Sequence, residues 1–154
     1  MSPSLKALGA RALQIRPLVR SPIWLFQHGL GWLLGPRFLL LEHIGRTSGE
    51  PRYVCLEVSD RPDSETFVVM SGFGERAQWY RNLRADPRCH VSSGRLRRAP
   101  ATARILSVEE AGDALDRYAR AHPKAWERLQ GVISEAQGHQ VEQVPVVELR
   151  LTRA

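Results

Sequence analysis

The chain has 154 residues, 43% of them hydrophobic, so we expect one compact domain with an ordinary core. Its 22 basic residues outnumber its 16 acidic ones, and the net charge of +6 indicates an anionic partner such as nucleic acid, an acidic lipid surface or a phosphorylated cofactor. The two cysteines, Cys55 and Cys89, have no further cysteine or histidine at ligand spacing, which argues against a disulfide framework and a structural zinc site.

Two helices are predicted in the first 36 residues, ahead of a main domain over residues 37–154. Apolar residues from Leu5 to Val19 recur at helical spacing among basic ones, which predicts an amphipathic helix disturbed at Pro17, and a second short helix follows over residues 22–34. The apolar stretch SPIWLFQHGLGWLLG is interrupted by glycines well before the roughly 20 residues of a membrane span. We also exclude a signal peptide, because a basic segment precedes the stretch and no small-residue cleavage site follows it.

This N-terminal region is a candidate for contact with an anionic membrane surface. The basic helix precedes three large aromatic residues within residues 1–34, namely Trp24, Phe26 and Trp32. Helices that only cover an open face of the main domain are the alternative. We expect a cytoplasmic protein, and the first of these alternatives would allow it to associate with a membrane through residues 1–34.

Strands dominate the middle of the chain. Two β-rich runs, Phe38 to Ile44 and Tyr53 to Val58, are joined by the turn GRTSGEP. Thr66 to Met70 form a third strand after the polar turn SDRPDSE. Loops this short predict antiparallel pairing.

Helices and strands alternate after Met70. The Gly-rich loop SGFGER leads into a helix over AQWYRNLRA that Asp86-Pro87 stops, and residues 89–92 and 97–106 form a hairpin. Ser107 and Glu110 match a capping box, so a helix runs from Ser107 to about Ala121. Residues 123–136 continue helically, and VPVVELRLT is a last strand. This order predicts an α+β fold, a small closed or split barrel of mostly antiparallel strands with helices packed around it.

Three catalytic patterns are absent or incomplete. The stretch from Gly72 to Ala77 satisfies G-x-G-x-x-A, but no second βαβ unit and no acidic residue at the end of the next strand support a dinucleotide fold. Ser71 has Val69 where a nucleophile elbow requires glycine. The five histidines are scattered without i, i+3 or i, i+4 pairing, so we predict no metal site.

The densest cationic cluster is on the predicted hairpin, at Arg95, Arg97 and Arg98. Proteins that bind single-stranded nucleic acid combine such residues with aromatic side chains on which bases stack, and this hairpin has none. We therefore do not expect a nucleic-acid partner.

The turn GRTSGEPR, residues 45–52, carries more cationic and hydroxyl side chains than a chain reversal needs. Glycines permit the positive φ of a turn, but nothing about reversing a chain requires guanidinium groups. Backbone N–H groups of a Gly-rich turn can converge on an anion, the hydroxyls of Thr47 and Ser48 can donate, and Arg46 with Arg52 can fork onto phosphate oxygens. The turn is thus a candidate phosphate cradle, with a solvated hairpin as the alternative.

Taken with the segments around it, this turn resembles the deazaflavin-dependent nitroreductase family. The resemblance covers about residues 38 to 151 and is carried by the signatures G-R-x-S-G-x-P-R and W-Y-x-N-L-x-A-x-P, together with the strand FVVMSGFG and the last strand VPVVELR. It implies a split β-barrel, similar to flavin-reductase and FMN-binding folds. It also implies coenzyme F-420 as cofactor, a deazaflavin that carries a phosphate and an oligoglutamate tail. FMN is the alternative cofactor.

The resemblance implies a division of roles among the site residues. It assigns the phosphate and the adjoining tail to residues of the turn: Arg46, Thr47, Ser48, Gly49 and Arg52. It places the end of one strand against the deazaflavin ring: Met70, Ser71 and Gly72. The start of the next helix would close the pocket with Gln78 and Trp79, while Asn82 and Leu83 would lock that helix onto the barrel.

The implied activity is hydride transfer from the reduced deazaflavin to a small-molecule acceptor such as a quinone, a nitroaromatic compound or an enone. The sequence departs from nitro-reducing relatives at one place, where their run Y-P-x-Y-x-x-Y is replaced by residues from His122 to Leu129. His122 and Trp126 are therefore the candidates for a proton donor or for the acceptor pocket. The alternatives are a deazaflavin- or flavin-binding protein without catalysis, and a basic lipid- or nucleic-acid-binding module.

Overall fold

The computed structural model describes residues 23, 25–28, 30–72, 74–137 and 144–152. The predicted amphipathic helix, the residue Trp24 and the side chain of Trp32 lie outside this part of the chain. Phe26 lies within it and is buried, with 6% of its surface exposed. Among the described residues, no helix combines the length and the apolar character needed to cross a bilayer.

Seven strands form one sheet in which each hydrogen-bonded pair of neighbours is antiparallel. They are β1 (Phe38–Ile44), β2 (Pro51–Glu57), β3 (Asp60–Asp63), β4 (Thr66–Met70), β5 (Arg88–Ser93), β6 (Leu96–Ile105) and β7 (Val146–Leu151). Their order across the sheet is β2-β1-β5-β6-β7-β4-β3. The sheet curls until β2, at one edge, comes back beside β4. The predicted α+β split barrel is confirmed.

In the described part of the chain after β1, three α-helices pack around this sheet: α1 (Gln78–Ala85), α2 (Val108–Ala121) and α3 (Pro123–Gln137). The predicted capping box at the start of α2 is present. The hydroxyl oxygen of Ser107 accepts from the backbone N–H of Glu110 at 3.1 Å, and Glu110 Oε1 accepts from the backbone N–H of Ser107 at 3.2 Å. These reciprocal bonds satisfy two of the N–H groups that a helix start leaves without partners.

The barrel interior is filled from the sheet and from α1. Alternate residues of β1 point inward, so Leu39 and Leu41 are fully buried, and they share a core cluster with Phe67 of β4 and Trp79 and Leu83 of α1. A second cluster on the opposite face of β4 and β7 is covered by α2 and includes Val68, Leu115 and Val146. The first cluster holds α1 against the barrel, next to the β1–β2 loop.

Two local predictions were wrong in detail. Residues Asp60–Asp63 were expected as part of a polar turn but form the edge strand β3, where Pro62 is tolerated because an edge strand leaves one side unpaired. A single helix was expected over residues 22–34; the described residues 23 and 25–27 are α-helical, but Gly31–Arg37 form a 3-10 helix. Gly35, at φ 70°, and Pro36 lie inside this second segment and prevent regular α-helix there.

Candidate functional site

A cavity of about 1150 Å³ lies between the β1–β2 loop, strand β2, the end of β4 and the start of α1. It brings together most of the residues predicted to hold a cofactor: Arg46, Thr47, Ser48, Arg52, Met70, Gly72, Gln78 and Trp79. The volume suits an organic cofactor or substrate. Residues that are distant in sequence therefore share one site because the sheet curls and α1 packs beside its edge.

Internal hydrogen bonds shape the β1–β2 loop, residues 45–50. The Gly45 N–H donates to the Glu50 carbonyl at 2.8 Å, the Gly49 N–H donates to the Gly45 carbonyl at 2.8 Å, and the Glu50 N–H donates to Ser48 Oγ at 3.2 Å. Within the described part of the chain, the amides and hydroxyl hydrogens of Thr47 and Ser48 have no acceptor. The loop therefore presents two amides and two hydroxyls to a ligand, fewer amides than a wholly open Gly-rich turn would offer.

Two positions in the loop favour glycine. A Cβ on Gly45 would lie 2.6 Å from Ser48 Oγ, so a side chain there would displace the Ser48 hydroxyl. Gly49 has φ +73°, in the left-handed region that other residues enter at a cost of about 1 to 2 kcal/mol. Gly49 itself does not line the cavity and serves the loop through its backbone.

Arg46 is tied to α1 by three hydrogen bonds. Its backbone N–H and its Nη1 both donate to Asn82 Oδ1, at 3.1 and 2.8 Å, while its Nη2 donates to Gln78 Oε1 at 2.9 Å. Asn82 is buried, with 4% of its surface exposed. The expectation that Asn82 locks α1 onto the barrel is confirmed, and its partners are Arg46 and, through Nδ2 at 3.0 Å, the ring of His43.

Arg52 is held much more loosely than Arg46. It lies directly opposite His43 in the β1–β2 register, so both side chains leave the sheet on the same face. Its guanidinium makes one long contact of 3.5 Å, from Nη2 to Ser48 Oγ. Among the described residues that line the cavity there is no carboxylate, so the charges of Arg46 and Arg52 are not neutralised inside it.

His43 is the buried titratable group of this site. Burial and the nearby charge of Arg52 lower the pKa of His43 to about 4, because both disfavour the imidazolium. With 3% of its surface exposed, the ring is neutral at physiological pH.

The rest of the cavity wall is mainly apolar. Val54 and Leu56 of β2 belong to the barrel interior, whereas Tyr53 and Cys55, which also line the cavity, lie on the alternate face of this edge strand. The cavity therefore runs along the edge of β2. Trp79 packs between the cavity and the core and is 7% exposed.

Burial also suppresses ionisation of the Cys55 thiol. It raises the pKa of Cys55 to about 11, so the sulfur stays protonated at neutral pH.

Ser71 is the other predicted cofactor residue that does not line the cavity. It is buried, and its hydroxyl donates to the Gly74 carbonyl at 2.6 Å. The Gly74 N–H in turn donates to the Ser71 carbonyl at 3.1 Å. In the structure, Ser71 shapes the turn between β4 and α1, which places its neighbours Met70 and Gly72 at the cavity.

His122 and Trp126 lie at the junction of α2 and α3, which we call the α2–α3 corner. Both rings pack on Tyr118 of α2, with ring centroids 5.3 and 6.2 Å away, and the Tyr118 hydroxyl donates to Glu57 Oε1 over 3.4 Å. His122 is exposed and Trp126 is half-buried against the second core cluster. Neither side chain lines the cavity, so a role for them with the acceptor stays a prediction.

One cation of the β5–β6 hairpin is already paired. Arg98 forms a two-pronged bond to Glu42, from Nε at 3.1 Å and Nη2 at 3.0 Å, and His90 Nδ1 is 2.9 Å from the same carboxylate. Burial by itself raises the pKa of Glu42, but the hydrogen bonds and charge of Arg98 outweigh it and hold that pKa below its usual value. The charge of Arg98 is therefore compensated within the protein by Glu42.

Sequence reasoning overlooked His43 and the edge of β2. The signal for His43 was available, because it follows Leu39 and Leu41 at the period of two that marks the inward face of β1. A polar ring in that series indicates a buried hydrogen bond. For Tyr53 and Cys55 there was no signal, since their place at the cavity depends on β2 being an edge strand.

Comparison with known proteins adds a family match. A model of the F420H(2)-dependent quinone reductase family matches residues 27–134, which contain the β1–β2 loop, α1 and α2. A protein of Mycobacterium tuberculosis (strain ATCC 25618 / H37Rv), Rv3178, which carries the provisional name of F420H(2)-dependent quinone reductase, is 42% identical over 76 residues. That match covers 47% of this chain and 60% of Rv3178, so the chain spans less than two thirds of the length of this curated relative.

Solved structures show the same fold. A structure described as an F420-H2 dependent reductase (FDR-A) aligns with a TM-score of 0.53 at 24% identity, covering 74% of this chain and 94% of that one. A pyridoxamine 5'-phosphate oxidase-related, FMN binding protein from Nostoc punctiforme PCC 73102 aligns with a TM-score of 0.54 at 15% identity, covering 98% and 81%. At these identities the likeness is one of architecture.

Proposed function

Because the chain belongs to the F420H(2)-dependent quinone reductase family, we propose that it is an oxidoreductase that transfers a hydride from reduced coenzyme F-420 to a quinone. The name of the relative Rv3178 supports this reaction. The structural observation that carries the proposal is a cavity whose lining combines two arginines and several polar donors, at the β1–β2 loop and the start of β2, with apolar residues.

The residues of the cavity fit the chemistry of this cofactor. Its phosphate and glutamate carboxylates need cations and N–H or O–H donors. The β1–β2 loop supplies Arg46 and the donors of Thr47 and Ser48, the start of β2 supplies Arg52, and the described lining residues include no carboxylate. Its flat ring system needs an apolar slot, and Val54, Leu56, Met70 and Trp79 are apolar residues of the same cavity lining.

We assign roles within the cavity accordingly. Arg46, Thr47, Ser48 and Arg52 bind the phosphate and the adjoining tail. Met70 and Gly72, at the end of β4, lie against the ring, while Gln78 and Trp79 close the pocket from α1. Gly49 and Ser71 contribute indirectly, by shaping the two turns that present these residues.

When bound, reduced F-420 supplies the hydride from carbon C5 of the deazaflavin. The chain itself aligns the reactants and excludes water with the apolar wall of β2 and Trp79. The reduced quinone must also gain a proton, from solvent or from a side chain near the acceptor. His122 is our candidate side chain for that proton. We also propose nitroaromatic compounds and enones as acceptors, because both accept a hydride at an electron-poor carbon or nitrogen.

Residues 1–34 are proposed to contact an anionic membrane surface, on the basis of their basic residues and of Trp24 and Trp32, whereas Phe26 is buried in the protein. A quinone dissolved in the bilayer would then be within reach of the protein.

Two measurements in sequence test the proposal. The purified full chain is titrated in parallel with oxidised coenzyme F-420 and with FMN, following the fluorescence of each. Reduced F-420 is then mixed in a stopped-flow instrument with a quinone, a nitroaromatic compound or an enone, and its reoxidation is followed by absorbance with and without protein.

We expect F-420 to bind more tightly than FMN and the quinone to be reduced fastest. Tight F-420 binding with no protein-dependent reoxidation by any acceptor would point instead to a binding protein without catalysis. Preferential binding of FMN would reject the cofactor assignment.

A further inference from the structure

One chain of hydrogen bonds crosses three elements at the cationic end of the cavity. It runs from His43 on β1 to Asn82 on α1, and from Asn82 to Arg46 in the β1–β2 loop, with distances of 3.0 and 2.8 Å between the side chains. A further bond of 2.9 Å joins Arg46 to Gln78, one turn earlier on α1. The chain therefore links a buried ring to a guanidinium that faces the ligand.

The chemistry of the partners fixes the direction of these bonds. Arginine has donors and no acceptor, so the amide oxygen of Asn82 must face Arg46, where it accepts from both Nη1 and the backbone N–H. The Asn82 amide nitrogen then has to donate to His43 Nδ1. His43 Nδ1 can accept only without a proton, so the ring is the neutral tautomer protonated on Nε2.

The surroundings of His43 keep it in that state. The ring is almost completely buried, and Arg52 stands opposite it across the β1–β2 pair. A proton on Nδ1 would place two donors face to face and add a second positive charge beside Arg52.

The result is that Arg46 is oriented before a ligand arrives. One N–H on each of Nη1 and Nη2 is used on α1, which leaves Nε–H and the second hydrogens of both Nη atoms for an anion. Arg52, with its single 3.5 Å contact, has no comparable support. An arginine that is already ordered loses less side-chain entropy on binding.

We infer that His43 is a positioning residue, which acts through Asn82 to hold the Arg46 guanidinium in the orientation that binds the anionic part of the cofactor. The inference rests on the proposed function, because it takes that anion to be the phosphate and tail of coenzyme F-420.

The test compares two substitutions of the same buried ring. His43→Asn keeps an acceptor oxygen close to the position of Nδ1, whereas His43→Leu keeps most of the volume and removes the acceptor. Each variant is checked for folding by circular dichroism and then titrated with oxidised coenzyme F-420 by fluorescence. We expect His43→Leu to raise the Kd roughly 3- to 10-fold, the cost of ordering one free arginine on binding, and His43→Asn to raise it less than about twofold.

A double-mutant cycle separates positioning from general destabilisation. In an Arg46→Ala background, His43→Leu should change the Kd by less than about twofold, because the group through which His43 acts is gone. A full 3- to 10-fold loss in that background would overturn the inference. If His43→Leu does not fold, His43→Gln, whose amide lies farther from the Nδ1 position, replaces it with the same expectation.

A spectroscopic readout is independent of the cofactor. In nitrogen-15 NMR of the free protein, Nδ1 of His43 should give the signal of an unprotonated nitrogen and Nε2 that of a protonated one at neutral pH. The opposite tautomer would overturn the inference. Failure of the wild type to bind F-420 would reject the proposed function and the cofactor role of His43 with it, whereas wild-type binding that His43→Leu leaves unchanged would reject only the inference.

Discussion

The cationic end of the cavity and the α2–α3 corner both collect polar and aromatic side chains that sequence analysis singled out. At the cavity, Arg46 is held by hydrogen bonds to Asn82 and Gln78 of α1, and Asn82 is in turn bonded to His43 of β1. The remaining N–H groups of Arg46, and those of Thr47 and Ser48, have no partner in the described chain. At the corner, His122 and Trp126 stack on Tyr118, whose hydroxyl is paired with Glu57.

The state of the hydrogen-bond donors therefore distinguishes a binding surface even before a ligand is bound. Donors that are held rigidly and left unsatisfied are prepared for a partner from outside, since ordering them has already been achieved by folding. Aromatic rings that pack on one another mainly join two helices. The following experiments test whether the two regions really differ in this way.

The largest contrast is between the two tryptophans. Trp79→Ala should lower the free energy of unfolding by about 3 to 5 kcal/mol, because a nearly buried ring leaves the main core, and it should also weaken F-420 binding. Trp126→Ala, at the half-buried corner, should cost less stability and leave the Kd for F-420 unchanged. Urea denaturation and fluorescence titration measure the two quantities. A Trp79 variant that loses stability but keeps its affinity for F-420 would show that Trp79 acts only as a core residue and not in cofactor binding.

Lowering the pH should reduce the free energy of unfolding through the buried ring of His43. The folded-state pKa of His43, about 4, lies below the value of about 6.5 in an unfolded chain, so the unfolded state takes up the proton first as pH falls. The free energy of unfolding should therefore fall by about 3 kcal/mol between pH 6.5 and 4 on account of this group. Denaturant titrations of the wild type and of His43→Asn across that window should differ by this amount. Parallel losses in the two proteins would contradict the burial of a neutral His43.

Removal of one cavity cation should act on binding alone. Arg52→Ala should weaken F-420 binding by about 1.5 to 3 kcal/mol, the range for a hydrogen bond to a charged group. Arg97→Ala, which removes an exposed cation from the β5–β6 hairpin, is the matched control and should have little effect on affinity. A larger effect from Arg97 than from Arg52 would favour a general anionic-surface binder over a cofactor cradle.

The smallest effect is expected at the exposed histidine of the corner. His122→Ala should leave the Kd for F-420 within about twofold and the free energy of unfolding within about 0.5 kcal/mol, since the ring lies on the surface and outside the cavity lining. Steady-state kinetics with a quinone give the informative readout. Because His122 is the proposed proton donor, we expect kcat/KM to fall while the affinity for the coenzyme is unchanged, and an unchanged kcat/KM would reject that role.

Much of the fold could be predicted from local pattern. Strands β1 and β4 have the predicted bounds, because their apolar runs end at clear turn residues, and the capping box located the start of α2. Strand β3 was missed because its sequence, DRPD, is typical of a turn, and it extends only beside β4 at the sheet edge. The sheet order could not be derived, since the long connections that place β5 beside β1 and β7 beside β4 leave no local signal.

The site was predictable to a similar extent. Residue type in the turn over residues 45–52 singled out Arg46, Thr47, Ser48 and Arg52, and all four line the cavity. The difference in how Arg46 and Arg52 are held was not visible, because it depends on the packing of α1 against the loop. The same holds for Ser71, whose hydroxyl is used by a turn that only the folded chain defines.

The ionisation of the Cys55 thiol has a consequence for the proposed reduction of quinones. Quinones are electrophiles that add covalently to thiolates, so a reactive cysteine lining a cavity that receives a quinone would be open to covalent inactivation. Burial raises the pKa of Cys55 to about 11, so the nucleophilic form is scarce at cellular pH. Under the proposed function, the edge of β2 can thus carry a sulfur at the cavity that resists arylation by a quinone.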